Sequence, residues 1–503
     1  MTDFDVIVIG AGNGGLTAAA TLARRGINVL VLERHNIPGG CGTSFCRGRF
    51  EFEVALHQLS GMGSPEYPGP LRGLLTRLGV MDKLDFVPMT DLFRVTVADA
   101  IDITLRPDWE ETVAVLSNRF PREKEAVQRF FDFLKAYFIE VISAVYMRDP
   151  ERSREKYPLF FTHALRSTRE VLDEYFEDPL LKFVITPYWA YMGLPPRHLS
   201  FNDFAALLFS YIEFKPYYLK GGSQAMSNAI ADAIITAGSS VRYNCGAKKI
   251  VVKNGAVRGV ITDEGDEIRA DYVISNASKI ATYMELLDPE EVPESVIPEL
   301  RQASVSQSAF CVYMGLDCTP GEAGIPEATH FLSQSTDVDV GYEKMKVVDI
   351  DDRDFLMMTC YDLIVPDFSP PGTCQVTLVT LKYGESWLKV PPARYAEMKF
   401  KMGDAMISLA EKVYPGLRTH VEEMEIATPI THLRYLGHPR GAIYGFNHFR
   451  KDSTMFVPPR SHLKGLHGAG AWMGYPGFQP TLESGAAAAR AVIKEMKGGR
   501  NAP

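Results

Sequence analysis

The hydrophobic pattern at the N-terminus predicts a strand, a turn, a helix and a second strand. Residues 5–35 read DVIVIGAGNGGLTAAATLARRGINVLVLERH, with the apolar run Val6–Ile9 near one end and Val31 and Leu32 near the other. Between them lie a glycine turn and an alanine-rich stretch, which we expect to be helical until about Gly26. This order predicts a unit of an α/β sheet.

The middle of the chain is apolar and aromatic at helical spacing. Residues 91–105 alternate between apolar and polar positions and predict strands, whereas residues 120–220 predict helices. We expect the longest apolar stripe to lie in a hydrophobic core, with a substrate wall or a membrane-facing lid as the alternatives. The stripe consists of Phe130, Phe133, Leu134, Tyr137, Phe138, Val141, Ile142 and Val145.

The α/β pattern returns after Lys220. Residues 221–244 predict a glycine turn, a helix and a strand, and residues 257–278, VRGVITDEGDEIRADYVISNAS, predict three strands. The last of these strands ends at Ser275 and Asn276, and small polar residues at a strand end are typical of a ligand-binding edge. Residues 307–316, 355–362 and 374–382 then predict an antiparallel sheet. Residues 392–413 predict an amphipathic helix.

The first turn has the composition of a dinucleotide-binding loop. Gly10, Gly12 and Gly15 form GxGxxG between a strand and a helix, where the backbone can approach a pyrophosphate without a Cβ atom in the way. Glu33 ends the second strand, where its carboxylate can accept hydrogen bonds from an adenosine ribose and disfavours a 2′-phosphate. NAD and FAD both fit this turn.

Composition limits the remaining classes. The chain has 503 residues, 46% of them hydrophobic, and its net charge of -9 gives no reason to expect nucleic acid binding. Its seven cysteines form no CxxC pair and no metal-ligand spacing, which favours a reducing compartment without a disulfide framework. We find no signal peptide and no spanning apolar run, so the expected location is the cytoplasm.

Three segments carry a resemblance to a known family. They are GAGNGGLTAAATLARRGINVLVLERHNIPGGCGTSF near the start, ADYVISNAS in the middle and GLHGAGAWMGYPGFQPTLESGAAAA near the end. In this order they resemble FAD flavoproteins of the phytoene desaturase, carotenoid isomerase and retinol saturase type, as does THLRYLGHPRGAIYGF at 431–446. A second GxGxxG unit for a nicotinamide cofactor is missing, which also favours FAD alone.

The resemblance implies an α/β fold in two interleaved parts. One is a Rossmann-like FAD-binding domain of the glutathione reductase type, and the other is an α+β substrate domain with an antiparallel sheet and a helical, aromatic lid. We predict 1–90, 216–290 and 420–503 for the FAD-binding domain, 91–215 and 291–419 for the substrate domain, and 120–215 for its lid.

The resemblance also assigns residues to FAD. By this resemblance the glycine turn holds the pyrophosphate, Glu33 binds the ribose, and the backbone of Ala247 contacts the adenine edge. A helix beginning near Thr481 directs its positive end at the flavin N1 and C2 carbonyl region. The expected FAD-binding residues are Gly10, Gly12, Asn13, Gly14, Gly15, Glu33, Arg34, Gly40, Cys41, Thr43, Ser44, Ala247, Gly470, Phe478, Gln479, Pro480 and Thr481.

One position departs from the related amine oxidases. Many of them carry an arginine directly after Gly-Gly, whereas this chain has Cys41 after Gly40, as in the carotenoid isomerase and retinol saturase group. A thiol at this position could tether the flavin covalently, but a buried cysteine usually packs as a small hydrophobic residue. We therefore predict FAD bound without a covalent bond.

The chemistry implied is oxidoreduction at a carbon–carbon bond. A long polyene or isoprenoid would be desaturated, saturated or isomerised in an apolar tunnel, with peripheral membrane contact to obtain it. His57, His432 and Tyr444 are the catalytic candidates, and a hydrogen-bonded structural role is the alternative for His57. A flavin amine oxidase and a prenyl-lipid carrier without redox chemistry are the alternative functions.

Overall fold

The computed structural model describes residues 2–449, 462–474 and 476–500. Its first layer is a parallel sheet in the order β19-β13-β1-β2-β9. The predicted first strands are confirmed, and Val6–Ile9 is buried because helices cover one face of this sheet and a small antiparallel sheet packs against the other. The strands are β1 Val6–Ile9, β2 Val29–Leu32, β9 Ser240–Arg242, β13 Tyr272–Ser275 and β19 Leu466–Gly468.

Three helices pack side by side on this sheet. They are α1 Asn13–Ala23, α10 Gly222–Thr236 and α17 Phe478–Arg500, and α1 contacts both of the others. The alanines and glycines of α1 allow this close packing: a Cβ atom on Gly485 would lie 2.0 Å from the carbonyl oxygen of Gly14. A shorter helix, α2 Pro70–Leu78, also packs against α1.

Smaller β elements surround the first sheet. The PGGC loop, residues 38–41, is followed by a hairpin that pairs Ser44–Arg47 with Phe50–Glu53, and a three-stranded antiparallel sheet follows α10. The additional strands are β3 Ser44–Arg47, β4 Phe50–Glu53, β5 Phe86–Pro88, β8 Tyr217–Leu219, β10 Ala247–Lys253, β11 Ala256–Thr262 and β12 Glu267–Arg269.

The second large sheet has seven strands in the order β18-β14-β17-β16-β15-β6-β7. All neighbours are antiparallel except β6 and β15, which confirms the predicted antiparallel sheet. Alternate residues of β14 face opposite cores, with Phe310 and Val312 on one side and Cys311 and Tyr313 on the other. The strands are β6 Phe93–Val97, β7 Ile101–Leu105, β14 Ser308–Leu316, β15 Thr329–Ser333, β16 Leu356–Cys360, β17 Cys374–Lys382 and β18 Val421–Ala427.

One predicted boundary needs a correction. The sequence placed all of 420–503 with the FAD-binding part, but the strand Val421–Ala427 pairs with β14 in the second sheet. The reason is non-local, since nothing in VEEMEIA shows which sheet edge will accept it. The remaining division into two interleaved parts stays a prediction.

The predicted aromatic block is a helical layer against the second sheet. Its core includes the stripe of α4, where Phe130, Leu134 and Val141 are buried. Within the described ranges, no helix combines the length and apolar character needed to cross a membrane. The helices are α3 Trp109–Arg119, α4 Lys124–Val141 with a π-helical turn at Ile142–Tyr146, α5 Pro158–His163, α6 Thr168–Tyr175, α7 Pro179–Ile185, α8 Trp189–Met192 and α9 Phe201–Glu213.

The remaining helices lie between and beside the strands of the two sheets. The predicted helix at 392–413 is confirmed as Tyr395–Glu411, which packs on the face of the second sheet opposite the aromatic layer. This helix is α15 Tyr395–Glu411, and the others are α11 Lys279–Met284, α12 Val296–Gln302, α13 Val338–Lys344, α14 Gly384–Trp387 and α16 Pro429–Leu436.

Candidate cofactor and substrate site

The glycine turn opens onto the N-terminus of α1. The cap residue is Gly12, which offers no side-chain acceptor to the first amides of the helix. A Cβ atom on Gly12 would lie 2.7 Å from Nδ2 of Asn276, and one on Gly14 would lie 2.7 Å from the amide nitrogen of Gly470. Three distant segments therefore meet at a point where backbone amides and a helix dipole favour an anion.

The PGGC loop closes over the same turn. The amide of Gly39 donates to the carbonyl of Ala11 at 2.8 Å, and that of Gly42 donates to the carbonyl of Gly39 at 3.0 Å. Gly40 has a φ of +61°, a conformation that favours glycine, and a Cβ there would lie 3.3 Å from Cα of Gly12. The loop thus forms the second wall of a cradle made largely of backbone.

One buried polar atom in the cradle suggests a ligand. The side chain of Asn13 lies against Gly42, and its Oδ1 atom has no hydrogen-bond partner among the described residues. A buried acceptor without a partner costs about 1–3 kcal/mol, so such atoms usually meet a ligand or water. The uncapped helix, the glycine cradle and this orphaned acceptor fit the pyrophosphate of a dinucleotide.

Glu33 lies at the ribose end of the cradle. Its two carboxylate oxygens accept from the amides of Ala11 at 2.6 Å and of His35 at 2.8 Å, which fixes the side chain beside the turn. Ala247 lies nearby at the start of β10, since Cys245 donates its amide to the carbonyl of Glu33. These contacts leave further lone pairs on the carboxylate for ribose hydroxyl groups.

Arg34, Thr43 and Ser44 already have partners within the protein. The guanidinium of Arg34 donates to the carbonyl of Tyr435 at 2.9 Å, near the end of α16. The hydroxyl of Thr43 donates to Gln224 at 2.5 Å, and that of Ser44 to Glu51 at 2.5 Å. Their assignment to FAD stays a prediction, and the structure gives each of them a contact that holds a loop or a hairpin in place.

The C-terminal segment reaches the cradle through α17. The helix begins at Phe478, three residues before the expected start, because Gly477 accepts the hydroxyl of Thr481 at 2.6 Å and its amide at 3.2 Å. Pro480 lies in this first turn, where a missing amide costs no helical hydrogen bond. Gln479 accepts from the hydroxyl of Ser60 at 3.3 Å, which links the segment to the chain that follows His57.

His57 is the centre of a group of hydroxyl and ring contacts. Its Nδ1 atom lies 3.1 Å from the hydroxyl of Thr359 and 3.3 Å from that of Tyr361, and its ring stacks on Tyr191 at 6.4 Å. Burial lowers the pKa of His57 to about 4, so the imidazole is neutral at pH 7. A neutral ring that accepts at Nδ1 carries its proton on Nε2.

Gln58 orders the tyrosines around this histidine. Its Nε2 atom donates to the carbonyl of Leu92 at 2.5 Å, and its Oε1 atom accepts from Tyr188 at 3.1 Å and from Tyr191 at 3.5 Å. Its backbone carbonyl accepts from Tyr211 at 3.2 Å. Gln58 therefore positions three rings, two through its side-chain amide and one through its backbone carbonyl.

The three catalytic candidates do not all meet. Burial raises the pKa of Tyr444, with further contributions from Cys41 and Cys311, and Tyr444 in turn raises the pKa of Tyr191. Tyr444 and Tyr191, one of the rings around His57, therefore lie close enough to interact and pack on the same core. His432 lies on α16, and in the described chain no hydrogen bond or ring contact joins it to the group around His57, although burial lowers its pKa to about 4.

The side chains around His57 form a wall that is only partly buried. Burial shifts the pKa of Cys41, His57, Tyr191 and Tyr444, yet each side chain keeps part of its surface accessible. The wall continues through aromatic contacts, from Tyr191 to Phe331 at 5.7 Å and onward through the helical layer. Burial raises the pKa of the Cys41 thiol to about 11, so at pH 7 it is not a thiolate.

Several residues of this site were missed from the sequence. Gln58, Tyr191 and Tyr361 carry no motif of their own, although Gln58 is adjacent to His57. Asn276 was noted only as the end of a strand, yet its side chain lies between the glycine turn and Gly470. Its position at the carboxyl end of a parallel strand was the available signal.

Comparison with known proteins gives one family match across most of the chain. The model of the family "Flavin containing amine oxidoreductase" matches residues 14–493. Prolycopene isomerase 2 of an Oncidium hybrid is 26% identical over 93% of this chain and 77% of its own length. The all-trans-retinol 13,14-reductase of Rattus norvegicus is also 26% identical, over 88% of this chain and 77% of its own length. An oxidoreductase structure from Methanosarcina mazei, 18% identical, covers 97% of this chain and 100% of its own with a TM-score of 0.65.

Proposed function

The chain belongs to the family of flavin containing amine oxidoreductases, and from this premise we propose that it is an FAD-dependent oxidoreductase acting on carbon–carbon bonds of a long apolar polyene or isoprenoid. The relatives that support this substrate class are a prolycopene isomerase and a retinol 13,14-reductase. The structural observation that carries it is the aromatic, uncharged surrounding of His57.

The neighbours of His57 suit a hydrocarbon better than an ammonium group. Besides burial, the ionisable groups that affect the pKa of Tyr191 are three other tyrosines, whose own raised pKa values keep them uncharged at pH 7; these are Tyr211, Tyr444 and Tyr361. Glu53, whose charge reaches Tyr361, already accepts from the amides of Ala55, Leu56 and Ser223 and from the Ser223 hydroxyl. A carboxylate with its lone pairs used in this way has little capacity left for a cationic substrate. This argues against the amine oxidase alternative.

The cofactor site supplies binding and orientation. FAD, held without a covalent bond, takes or gives a hydride at its N5 atom when it is bound. The glycine cradle, with Asn13, Asn276 and Gly470, would hold the pyrophosphate, and Glu33 the ribose. The first turn of α17 would place its amides toward the flavin ring and stabilise negative charge there.

His57 would act as a hydrogen-bonding group rather than as a cationic acid. With a pKa of about 4 the ring takes up no second proton at pH 7 and stays neutral, and its Nδ1 atom is fixed by Thr359 and Tyr361. Its Nε2 proton would then be free to orient a substrate or the flavin edge. Tyr444 is the second candidate, because its raised pKa keeps the hydroxyl protonated.

The experiment that tests this function is a turnover assay with a panel of polyenes. The flavin of the purified protein is first photoreduced without oxygen and then mixed with each polyene. Product formation that consumes reduced flavin means saturation, turnover without net electron use means isomerisation, and reduction of oxidised flavin by the substrate means desaturation. A colourless protein that cannot be reconstituted with FAD would favour the carrier alternative instead.

Access to such a substrate motivates two further proposals. We infer that the helical layer from α4 to α9 covers the substrate and that the protein contacts a membrane surface peripherally. The first rests on the aromatic wall that continues from Tyr191, and the second on the low water solubility expected of the substrate. Flotation with liposomes tests the second, since protein that stays wholly in the soluble fraction would contradict it.

A further inference from the structure

A cleft lies between α2 and α17, on a face of α17 that is not used by the glycine cradle. Ser484 and Gly485 face Gly470 and Gly14, whereas Glu483, Ala486 and Arg490 line the cleft. Residues spaced three and four apart share one helix face, which explains this separation. The cleft has a volume of about 430 Å³, within the range of about 300–1,000 Å³ of small-molecule sites.

Small residues form the floor of the cleft, and two arginines lie at its rim. On α2, Gly73 leaves room for the side chain of Arg77, whose Nη1 atom would lie 3.3 Å from a Cβ at Gly73. Arg77 on α2 and Arg490 on α17 therefore both line the cleft. Glu483 is the acidic residue of the described lining, and its Oε1 atom accepts from Gln479 at 2.9 Å.

Within the described chain, neither of the two arginines is held in an ion pair, although the carboxylate of Glu483 lies in the same cleft. In the residues that the structure describes, neither Arg77 nor Arg490 has a carboxylate within 4.0 Å or a hydrogen-bond partner. The pKa of Arg490 is lowered first by burial and then by the charges of Arg148, Arg77 and Arg25. The charge of Glu483 is the contribution that raises it. Several like charges beside one another without a partner are unfavourable, and an anion between them would remove that repulsion.

We propose that the cleft between α2 and α17 binds a phosphate-bearing anion through Arg77 and Arg490. Two planar guanidinium groups offer paired donors that match the oxygens of a phosphate. The small floor, built from Gly69, Gly73 and Ala486, leaves room for an ester substituent on that phosphate. This site is separate from the predicted FAD pyrophosphate site and does not depend on the proposed function.

The phosphate could belong to a soluble ester or to a lipid headgroup. A neighbouring feature suits the headgroup: Arg148, whose charge reaches Arg490, directly follows Tyr146 and Met147, which are 59% and 75% exposed. Apolar and aromatic side chains beside cations are typical of a surface that inserts shallowly into an anionic bilayer. Binding of free phosphate and binding to anionic vesicles distinguish the two sources.

The first arm measures thermal unfolding with inorganic phosphate, pyrophosphate or chloride at equal ionic strength. The second measures flotation with vesicles of phosphatidylcholine alone and of phosphatidylcholine mixed with phosphatidic acid. Both use the wild-type protein, the double variant Arg77→Gln/Arg490→Gln and the control Arg301→Gln, which changes an exposed arginine on α12. Circular dichroism of each variant confirms that the fold is retained.

We expect phosphate to stabilise the wild type more than chloride does, with binding about tenfold weaker for each guanidinium removed. The control should bind as the wild type does. Stabilisation by free phosphate without preference for phosphatidic acid identifies a soluble ester, and flotation lost in the double variant identifies a lipid headgroup. Equal effects of phosphate and chloride together with flotation that is unchanged in the double variant would overturn the proposal.

Discussion

The substitution Gln58→Met tests whether one buried amide positions the tyrosines beside His57. Methionine has a similar volume and length, so it fills the space but provides neither the donor to Leu92 nor the acceptor for Tyr188 and Tyr191. The side chain of Gln58 is only 6% exposed, so water cannot replace these bonds without a change in packing.

The expected loss follows from the partners left behind. Tyr188 can still donate to the carbonyl of Leu92, from which its hydroxyl lies 3.4 Å, and this contact compensates part of the change. Tyr191 keeps no acceptor at Gln58. With a net cost of roughly 0.5–1.5 kcal/mol for each lost hydrogen bond, we expect a decrease of about 1–3 kcal/mol in the free energy of unfolding.

Urea unfolding of the wild type, Gln58→Met and the control Gln128→Met gives this value. Gln128 is exposed on α4, and its substitution should change the stability by less than about 0.5 kcal/mol. Combining Gln58→Met with Tyr188→Phe should cost less than the sum of the single changes, because both remove the same bond. Additive effects, or a Gln58→Met variant as stable as the control, would refute the assigned network.

Three further predictions concern buried groups. Burial between Thr96 and Tyr414 lowers the pKa of His330 to about 3. The stability that its neutral form contributes is complete above pH about 6.5 and is lost toward pH 3, by about 2 kcal/mol at pH 5. Unfolding curves of His330→Asn should therefore show a smaller loss of stability between pH 8 and pH 5 than those of the wild type. Lys382 and Asp354 form an ion pair at 2.6 Å, and their side chains are 0% and 2% exposed. Asp354→Asn should lower the free energy of unfolding by about 3–5 kcal/mol. A decrease below about 1 kcal/mol, measured by urea unfolding, would contradict the pairing. Acid precipitation should release flavin equally from the wild type and from Cys41→Ser, whereas flavin retained only in the wild-type pellet would indicate a covalent bond.

The elements set by local sequence were predicted well. The unit from Val6 to Leu32 was readable because its strands, glycine turn and helix each follow from neighbouring residues. The aromatic layer was also readable, since the stripe on α4 repeats at helical spacing.

The parts that were missed depend on contacts between distant segments. Asn276 reaches the glycine turn from a strand more than 250 residues away, and Gln58 meets Tyr188 across 130 residues. The strand Val421–Ala427 joins the second sheet through β14, which precedes it by about 100 residues. Three-dimensional packing decides such contacts, and no local pattern records them.

The most direct test of the account is a comparison of two substrate classes on the same flavin. The protein is purified with FAD and mixed, without oxygen, with a conjugated polyene or with a primary amine, while the flavin spectrum and the polyene products are followed. We predict that polyenes are converted, or change the redox state of the flavin, and that amines leave the flavin oxidised. Rapid reduction of the flavin by amines, with no conversion of any polyene by oxidised or reduced flavin, would contradict the proposed function.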